Sequence, residues 1–200
     1  GGSGNDTVYA GSGNDRLDGG IGNDYLQGDA GSDTYVFSRG SGQDVISNND
    51  TSTGKTDTLE FGADILPADI VMTRSGTDLV LAIAGTTDKV TVRSFFDTDG
   101  NGAYALEQVR FADGTTWDKA TVKLLAIAGN DTAQDLRGYA TADVINGLGG
   151  NDVISGGSGN DTIDGGDGAD SLNGDNGDDV IYGGSGNDTV YAGSGNDRLD

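Results

Sequence analysis

Apolar side chains recur every nine residues near both ends of the chain, with glycine and polar residues between them. Read in steps of nine, residues 1–36 give GGSGNDTVY, AGSGNDRLD, GGIGNDYLQ and GDAGSDTYV, and residues 138–200 give seven more such units. The eighth position is apolar or aromatic throughout, from Val8 to Leu199. Richness in Gly, Ser, Asn and Asp alone would suit a disordered linker. A fixed period instead indicates a stacked repeat architecture.

Aspartate occupies the sixth position of every one of these units. A further unit at 39–47 keeps Asp44 and Ile46 but follows a two-residue slip, which leaves the pairing of Asp24 with Asp44 open. The segment 129–137 has Gln134 in place of the aspartate, so we interpret it as a degenerate cap.

This pattern resembles the calcium-binding nonapeptide repeat of the repeats-in-toxin family, GGxGxDxUx. The resemblance implies a parallel β-roll in which two nonapeptides form one coil, so that positions 18 apart stack on adjacent coils. It also implies several bound Ca²⁺ ions, held by carboxylates at the sixth position. The predicted ligands are Asp6, Asp15, Asp24, Asp33, Asp44, Asp143, Asp152, Asp161, Asp170, Asp179, Asp188 and Asp197.

Stacked aspartates need a counter-charge. Adjacent strands lie ~4.8 Å apart, and two carboxylates that close repel by roughly 3 kcal/mol at an effective dielectric of about 20. Glycine at positions one, two and four permits positive φ and turns carbonyls towards an ion. Asparagine at position five is expected to serve the turn. With one aliphatic residue per repeat the apolar core is thin, so we predict that the rolls are largely unfolded without calcium.

Between residues 48 and 126 the nonapeptide gives way to alternating apolar and polar positions, which predict strands. The expected strands are Asp57–Phe61, Asp69–Arg74, Asp78–Ala84, Lys89–Phe95, Tyr104–Phe111 and Thr115–Trp117. Ala120–Ile127 suits either a helix or a strand. The run YALEQVRFADGTTWD resembles a haemolysin-type calcium-binding-related domain. The loop from Asp97 to Gly102 matches the first half of an EF-hand loop, but Gln108 stands at its twelfth position, so a polar turn is the alternative to a calcium site.

We therefore predict an all-β fold: two calcium-binding parallel β-roll segments flank a β-sandwich-like insert, as part of a tandem array. The predicted divisions are an N-terminal roll at 1–47, a β-rich insert at 48–126 and a C-terminal roll at 127–200.

The charge and composition of the chain exclude several classes of partner and of catalysis. Thirty-three acidic side chains oppose 11 basic ones, a net charge of -22, which argues against nucleic-acid partners and against anionic lipid. The absence of cysteine and histidine removes zinc, thiol and His-based catalysis. No apolar run approaches the ~20 residues of a membrane span. We expect no enzyme activity and no membrane insertion.

Residues 183–200 repeat residues 1–18 letter for letter, including positions that the motif leaves free. The simplest explanation is a tandem unit of which this chain holds one copy and the start of the next. The chain also begins in mid-pattern without a signal peptide, so we expect it to be part of a longer polypeptide. We predict a secreted, calcium-stabilised fibre or adhesin stalk, whose partners are calcium ions, adjacent units and other copies of itself. The alternative is a carrier and folding module of an enzyme exported by type I secretion.

Overall fold

Short strands repeat along the chain in step with the nine-residue pattern. The computed structural model describes residues 1–200. The chain divides into two units, Gly1–Lys123 and Leu124–Asp200. The eight-residue helix α1, Lys119–Ala126, lies across the boundary between them. No helix in the chain has the length and apolarity needed to cross a membrane.

The first unit contains thirteen strands and two short 3-10 segments, Pro67–Asp69 and Asp97–Gly100. The strands are β1 (Gly2–Ser3), β2 (Thr7–Tyr9), β3 (Arg16–Asp18), β4 (Gly20–Ile21), β5 (Tyr25–Gln27), β6 (Thr34–Phe37), β7 (Gln43–Ile46), β8 (Thr58–Phe61), β9 (Ile70–Ser75), β10 (Asp78–Ile83), β11 (Lys89–Val92), β12 (Gln108–Arg110) and β13 (Thr116–Asp118).

The N-terminal roll stacks its coils in parallel, one above the next. Strand β2 pairs with β5 so that Val8 lies opposite Leu26, and β3 pairs with β6 so that Leu17 lies opposite Tyr35. Both registers join residues 18 apart. The prediction that two nonapeptides form one coil is therefore confirmed.

The middle segment continues the two sheets of this roll. In one sheet β11 pairs in parallel with β7 and then forms an antiparallel meander with β10 and β9. In the other, β8 pairs in parallel with β6 and with β12, and β13 closes the edge antiparallel to β12. The six predicted strands are all present, several with shorter bounds, and the ambiguous segment 120–127 is mainly helix. The division of the chain at residues 48 and 127 stays a prediction.

The second unit is a parallel roll with two sheets, ordered β14-β16-β18-β20-β22 and β15-β17-β19-β21. Each strand again pairs with the strand 18 residues away, as in Ile145 with Ile163 and Leu172 with Val190. Its strands are β14 (Ala128–Asn130), β15 (Asp135–Arg137), β16 (Val144–Leu148), β17 (Val153–Ser155), β18 (Thr162–Asp164), β19 (Ser171–Asn173), β20 (Val180–Tyr182), β21 (Thr189–Tyr191) and β22 (Arg198–Leu199). The predicted all-β roll architecture is confirmed.

The eighth-position side chains form the core of each roll. Leu26, Ile163 and Leu172 are almost completely buried. In the first unit the core widens into an aromatic cluster, where Phe61 stacks on Phe111 and Phe111 meets Trp117 edge-on. One apolar side chain per strand thus supplies the rolls' hydrophobic stabilisation.

Candidate metal centre

The sixth-position aspartates form continuous columns along the rolls. In each pair, the backbone N–H of one aspartate donates to Oδ1 of the aspartate one coil later. Asp6 donates to Asp24 at 2.8 Å. In the second unit Asp161 donates in the same way to Asp179 at 2.8 Å. The remaining 18-residue pairs are Asp15 with Asp33, Asp143 with Asp161, Asp152 with Asp170, Asp170 with Asp188 and Asp179 with Asp197.

The columns persist where the sequence spacing breaks. The N–H of Asp24 donates to Asp44 Oδ1 at 3.0 Å although 20 residues separate them. The two extra residues before this repeat therefore do not interrupt the column. The N–H of Asp33 donates to Asp57 Oδ1 at 2.8 Å across 24 residues. Sequence reasoning missed Asp57. The signal was present, because Asp57 and Leu59 keep the spacing of positions six and eight.

The second oxygen of these carboxylates lacks a partner. Oδ2 is buried without a hydrogen bond in Asp15, Asp24, Asp33, Asp44, Asp152, Asp161, Asp170 and Asp179. A buried carboxylate oxygen without a partner is costly, and native proteins almost always satisfy such groups. The recurrence of the same orphaned atom in coil after coil indicates a ligand site and fits a hard cation, which takes oxygen ligands.

Burial changes the acidity of the column carboxylates. It raises the pKa of Asp44 and of Asp161 to about 6. The backbone N–H from the preceding coil opposes this rise, and neighbouring carboxylates add to it. The pKa values of Asp33 and Asp152 are also raised, again mainly by burial. The protein without metal therefore holds its columns in an electrostatically unfavourable state.

Glycine makes the space in which the orphaned oxygens lie. A Cβ at Gly28, the first position of its repeat, would overlap Asp33 Oδ2, and a Cβ at Gly31, the fourth, would overlap the carbonyl oxygen of Gly13. Gly31 has a φ of 136°, whereas Gly28 is not among the residues with positive φ. Our expectation of positive φ at position one was wrong, because glycine is needed there for space.

Backbone carbonyls must complete any cation site here. No three acidic side chains are placed so that they could hold one metal ion among them, while Ca²⁺ takes 6–8 oxygen ligands. Each cradle offers a column carboxylate oxygen beside closely stacked glycine turns, such as the Gly31 turn over the Gly13 carbonyl. The residues present therefore fit calcium. The carboxylates would supply the charge and the glycine turns the neutral oxygens.

The fifth-position side chains bridge successive coils. Asn5 Oδ1 accepts the backbone N–H of Asn23 at 2.9 Å, and Asn23 Oδ1 accepts that of Gln43 at 2.9 Å. In the second unit Asn160 Oδ1 accepts the N–H of Asp178 at 3.0 Å. This ladder of hydrogen bonds between coils is more than the local turn role that we expected. It fixes the alignment of one coil on the next.

The loop with the partial EF-hand sequence is a turn held by its own backbone. It begins with the 3-10 segment Asp97–Gly100, in which Thr98 and Asp99 have φ of 50° and 58°. The N–H of Asn101 donates to the Thr98 carbonyl at 3.2 Å. These bonds are those of a polar turn, the alternative interpretation of this segment.

Family models match both kinds of segment described above. The model for the RTX calcium-binding nonapeptide repeat matches residues 1–35, 128–163, 137–172 and 164–199, together more than half of the chain. The chain belongs to this RTX family. A second model, the haemolysin-type calcium binding protein related domain, matches residues 78–121 of the RTX chain. Both resemblances drawn from the sequence are confirmed. The chain therefore carries calcium-binding nonapeptide repeats.

A curated relative of the RTX chain is the iron-regulated protein FrpA of Neisseria meningitidis serogroup C. The two are 42% identical over 105 residues, which is 52% of this chain and 9% of FrpA. The RTX chain thus spans less than a tenth of that relative's length, and the similarity concerns a part of FrpA only.

Proposed function

We propose that this chain is a calcium-stabilised structural module of a secreted tandem-repeat protein that forms an extracellular fibre or adhesin stalk. In this proposal the twelve sixth-position aspartates predicted from the sequence are the carboxylate ligands, and Asp57 extends their column without being one of the twelve. The chain has no catalytic role of its own. Its partners are calcium ions, adjacent units and other copies of the same protein.

The duplicated coil is the observation that supports this proposal best. At the N-terminus the coil 1–18 stacks on the coil that follows it, with Arg16 opposite Thr34. At the C-terminus the identical coil 183–200 stacks on the coil that precedes it, with Val180 opposite Arg198. The same eighteen-residue sequence therefore stacks on a following coil in its first copy and on a preceding coil in its second copy. A roll that continued through this coil would use only contacts already present in the two units.

Calcium would neutralise the columns and allow the coils to close. When bound, it supplies positive charge beside the buried Oδ2 atoms, as at Asp24 and Asp161. The chain's own residues provide the rest: the N–H to Oδ1 bonds orient each carboxylate, and glycine leaves room for the turn. A chain exported unfolded at low calcium would fold on reaching the higher calcium outside the cell.

The test joins two copies of the 182-residue unit in one polypeptide, since residues 183–200 repeat residues 1–18 at that offset. With calcium we expect a rigid particle about twice as long as a single unit in electron microscopy and small-angle scattering. With chelator we expect an expanded chain. Two units tumbling independently in calcium would contradict the stalk. A parent gene holding a single unit fused to an enzyme domain would favour the carrier alternative.

A further inference from the structure

Asp57 differs from the other buried column aspartates in what its second oxygen contacts. Its Oδ1 accepts the N–H of Asp33, as in every other pair of the column. Its Oδ2 is an ion-pair partner of Lys55 Nζ and also accepts a hydrogen bond from Asn48 Nδ2 at 2.8 Å. In eight other column aspartates that same atom has no partner. At Asp57 the protein itself provides the cation.

The placement of Lys55 follows from the repeat. Counting back from Asp57 at position six, Lys55 stands at position four, where the neighbouring repeats have glycine, such as Gly31 and Gly42. The lysine side chain is 9% exposed and Asp57 is 0% exposed, so the pair is shielded from water. Glu107 adds a second carboxylate 3.4 Å from Lys55 Nζ, and its Oε2 accepts the Asp57 N–H at 2.8 Å. A buried, hydrogen-bonded pair of this kind is strongly held, because losing one partner leaves an uncompensated charge.

At two other column ends inside the chain, an uncharged residue stands at the next column position. Val90 lies opposite Asp44 in the parallel pairing of β11 with β7. The N–H of Gln134 donates to Asp152 Oδ1 at 2.8 Å, so a neutral amide residue stands at that end of the second unit's column. The last aspartates at these two ends, Asp44 and Asp152, keep a buried Oδ2 without a partner. Of the three ends, only that at Asp57 has a side-chain cation on this oxygen.

We propose that Lys55 is a built-in counter-ion that takes the place of calcium at Asp57 and gives this column a metal-independent end. This inference rests on the proposed calcium role of the columns. The Asp57 position binds no calcium, and strand β8 (Thr58–Phe61) keeps its structure when the coils 1–36 lose theirs. Calcium-driven folding of the N-terminal roll then begins on a preformed edge, to which β6 (Thr34–Phe37) adds.

The first test measures the reactivity of lysine amines in the unaltered chain by acylation and mass spectrometry, with calcium and with chelator. We expect Lys55 to react on the order of tenfold more slowly than Lys119 in both conditions, because its amine must leave its partners first. Lys119 is the control: its side chain is 34% exposed and its ion pair is with Glu107 at 3.6 Å rather than with a column aspartate. Faster labelling of Lys55 on adding calcium would mean that metal displaces it. Labelling equal to that of Lys119 in chelator would mean that the edge does not persist. Either result overturns the proposal.

The second test uses Lys55→Gln, with Lys119→Gln as the control for the lost charge. Trp117 in β13 is the single tryptophan and lies in the same sheet as β8, so its fluorescence reports on this edge. We expect the Trp117 signal to be independent of calcium in the unaltered chain and in Lys119→Gln, but to depend on calcium in Lys55→Gln. The Lys55→Gln variant should also bind one calcium ion more. Unchanged stoichiometry and an unchanged Trp117 response in Lys55→Gln would overturn the proposal.

Two further measurements cover the cases in which Lys55→Gln does not fold or the chain does not bind calcium. If Lys55→Gln does not fold, Lys55→Arg retains the charge and should behave as the unaltered chain; calcium dependence of its Trp117 signal would contradict the proposal. A calcium titration of the unaltered chain distinguishes failure of the proposed calcium function from failure of the Lys55 counter-ion proposal. No calcium binding at all would defeat the proposed function, whereas binding accompanied by displacement of Lys55 would defeat only the counter-ion.

Discussion

Each column aspartate has two oxygens with different tasks. Oδ1 joins adjacent coils by accepting a backbone N–H, as between Asp161 and Asp143 at 2.8 Å. Oδ2 is buried and, in most of the column, has no partner within the protein. One side chain therefore provides both the alignment of the roll and its demand for a cation.

Asparagine at a column position should separate these two tasks. In Asp161→Asn the amide oxygen can still accept the Asp143 N–H, but the charge is lost. We expect calcium-saturated stability to fall by about 2 kcal/mol, the size of a charge-assisted interaction, while the calcium-free state is not destabilised. Urea unfolding at saturating calcium measures the loss, and circular dichroism in chelator shows whether the residual β structure is changed. Asp167→Asn, an exposed position of the same roll, should change neither, and equal losses in the two variants would contradict the assignment.

The acidity of Asp44 and Asp161 predicts an unusual response to pH. An unfolded aspartate titrates near ~3.9, whereas burial raises both pKa values in the folded chain to about 6. The carboxylates that face them and add to the rise are Asp24, Asp18 and Asp88 around Asp44, and Asp179, Asp143 and Asp175 around Asp161.

The folded calcium-free roll therefore binds more protons than the unfolded chain. Its stability is greatest below the unfolded pKa and is lost as pH rises through about 6, by roughly 3 kcal/mol per carboxylate. Circular dichroism of calcium-depleted protein should show more β structure at about pH 4.5 than at about pH 7.5. Calcium affinity should weaken below about pH 6 as protons compete for the same oxygens. A calcium-free spectrum that gains β structure with rising pH would refute this sign.

At the scale of the strand and its turn, close stacking restricts the residue types. The coils approach until the fourth-position turn of one lies against the carbonyl of the preceding coil, as Gly31 does against Gly13. Such contact between turns leaves no room for a side chain, and it explains why glycine recurs where a strand sequence alone would not need it.

Gly31→Ala should therefore lower the free energy of unfolding by more than the cost of its positive φ alone. Gly114 is a suitable comparison, because it has a φ of 90° and no atom near the position of a Cβ. Alanine at Gly114 should cost about 1–2 kcal/mol for its positive φ. Alanine at Gly31 should cost distinctly more, since its Cβ would also overlap the neighbouring coil. Thermal unfolding of both variants at saturating calcium gives the comparison, and equal losses would show that the coils can move apart.

The sequence predicted the rolls well because a fixed period makes each coil's neighbour evident. It did not predict that β8 (Thr58–Phe61) and β11 (Lys89–Val92) continue the roll's sheets, since these parallel pairings join segments at irregular spacing. Asp57 was missed for the same reason, because 24 residues rather than 18 separate it from Asp33. Lys55 was hidden because it replaces the glycine by which a repeat is recognised. The asparagine ladder was missed because a side chain that suits a turn gives no sign of what its oxygen accepts.

At the scale of the whole molecule, folding and calcium binding should be one event in the rolls. Each coil contacts only its neighbours, so stability is the sum of nearest-neighbour terms. Removing calcium restores the repulsion along every column at once. We expect chelator to abolish most of the β signal in far-UV circular dichroism, and calcium to restore it with a sigmoidal dependence on concentration. A spectrum that chelator leaves unchanged would show that the apolar core suffices without metal.

The asparagine ladder has a consequence for how such a molecule can change in length. At each of its steps an oxygen of the position-five side chain accepts a backbone N–H of the next coil, from Asn5 with Asn23 to Asp178 with Asn196. A deletion or insertion of one whole coil therefore replaces this contact by one of the same kind wherever position five keeps Asn or Asp. A gene that encodes such coils can gain or lose them one at a time without requiring a new interface between coils. The length of the protein then depends on the number of coils.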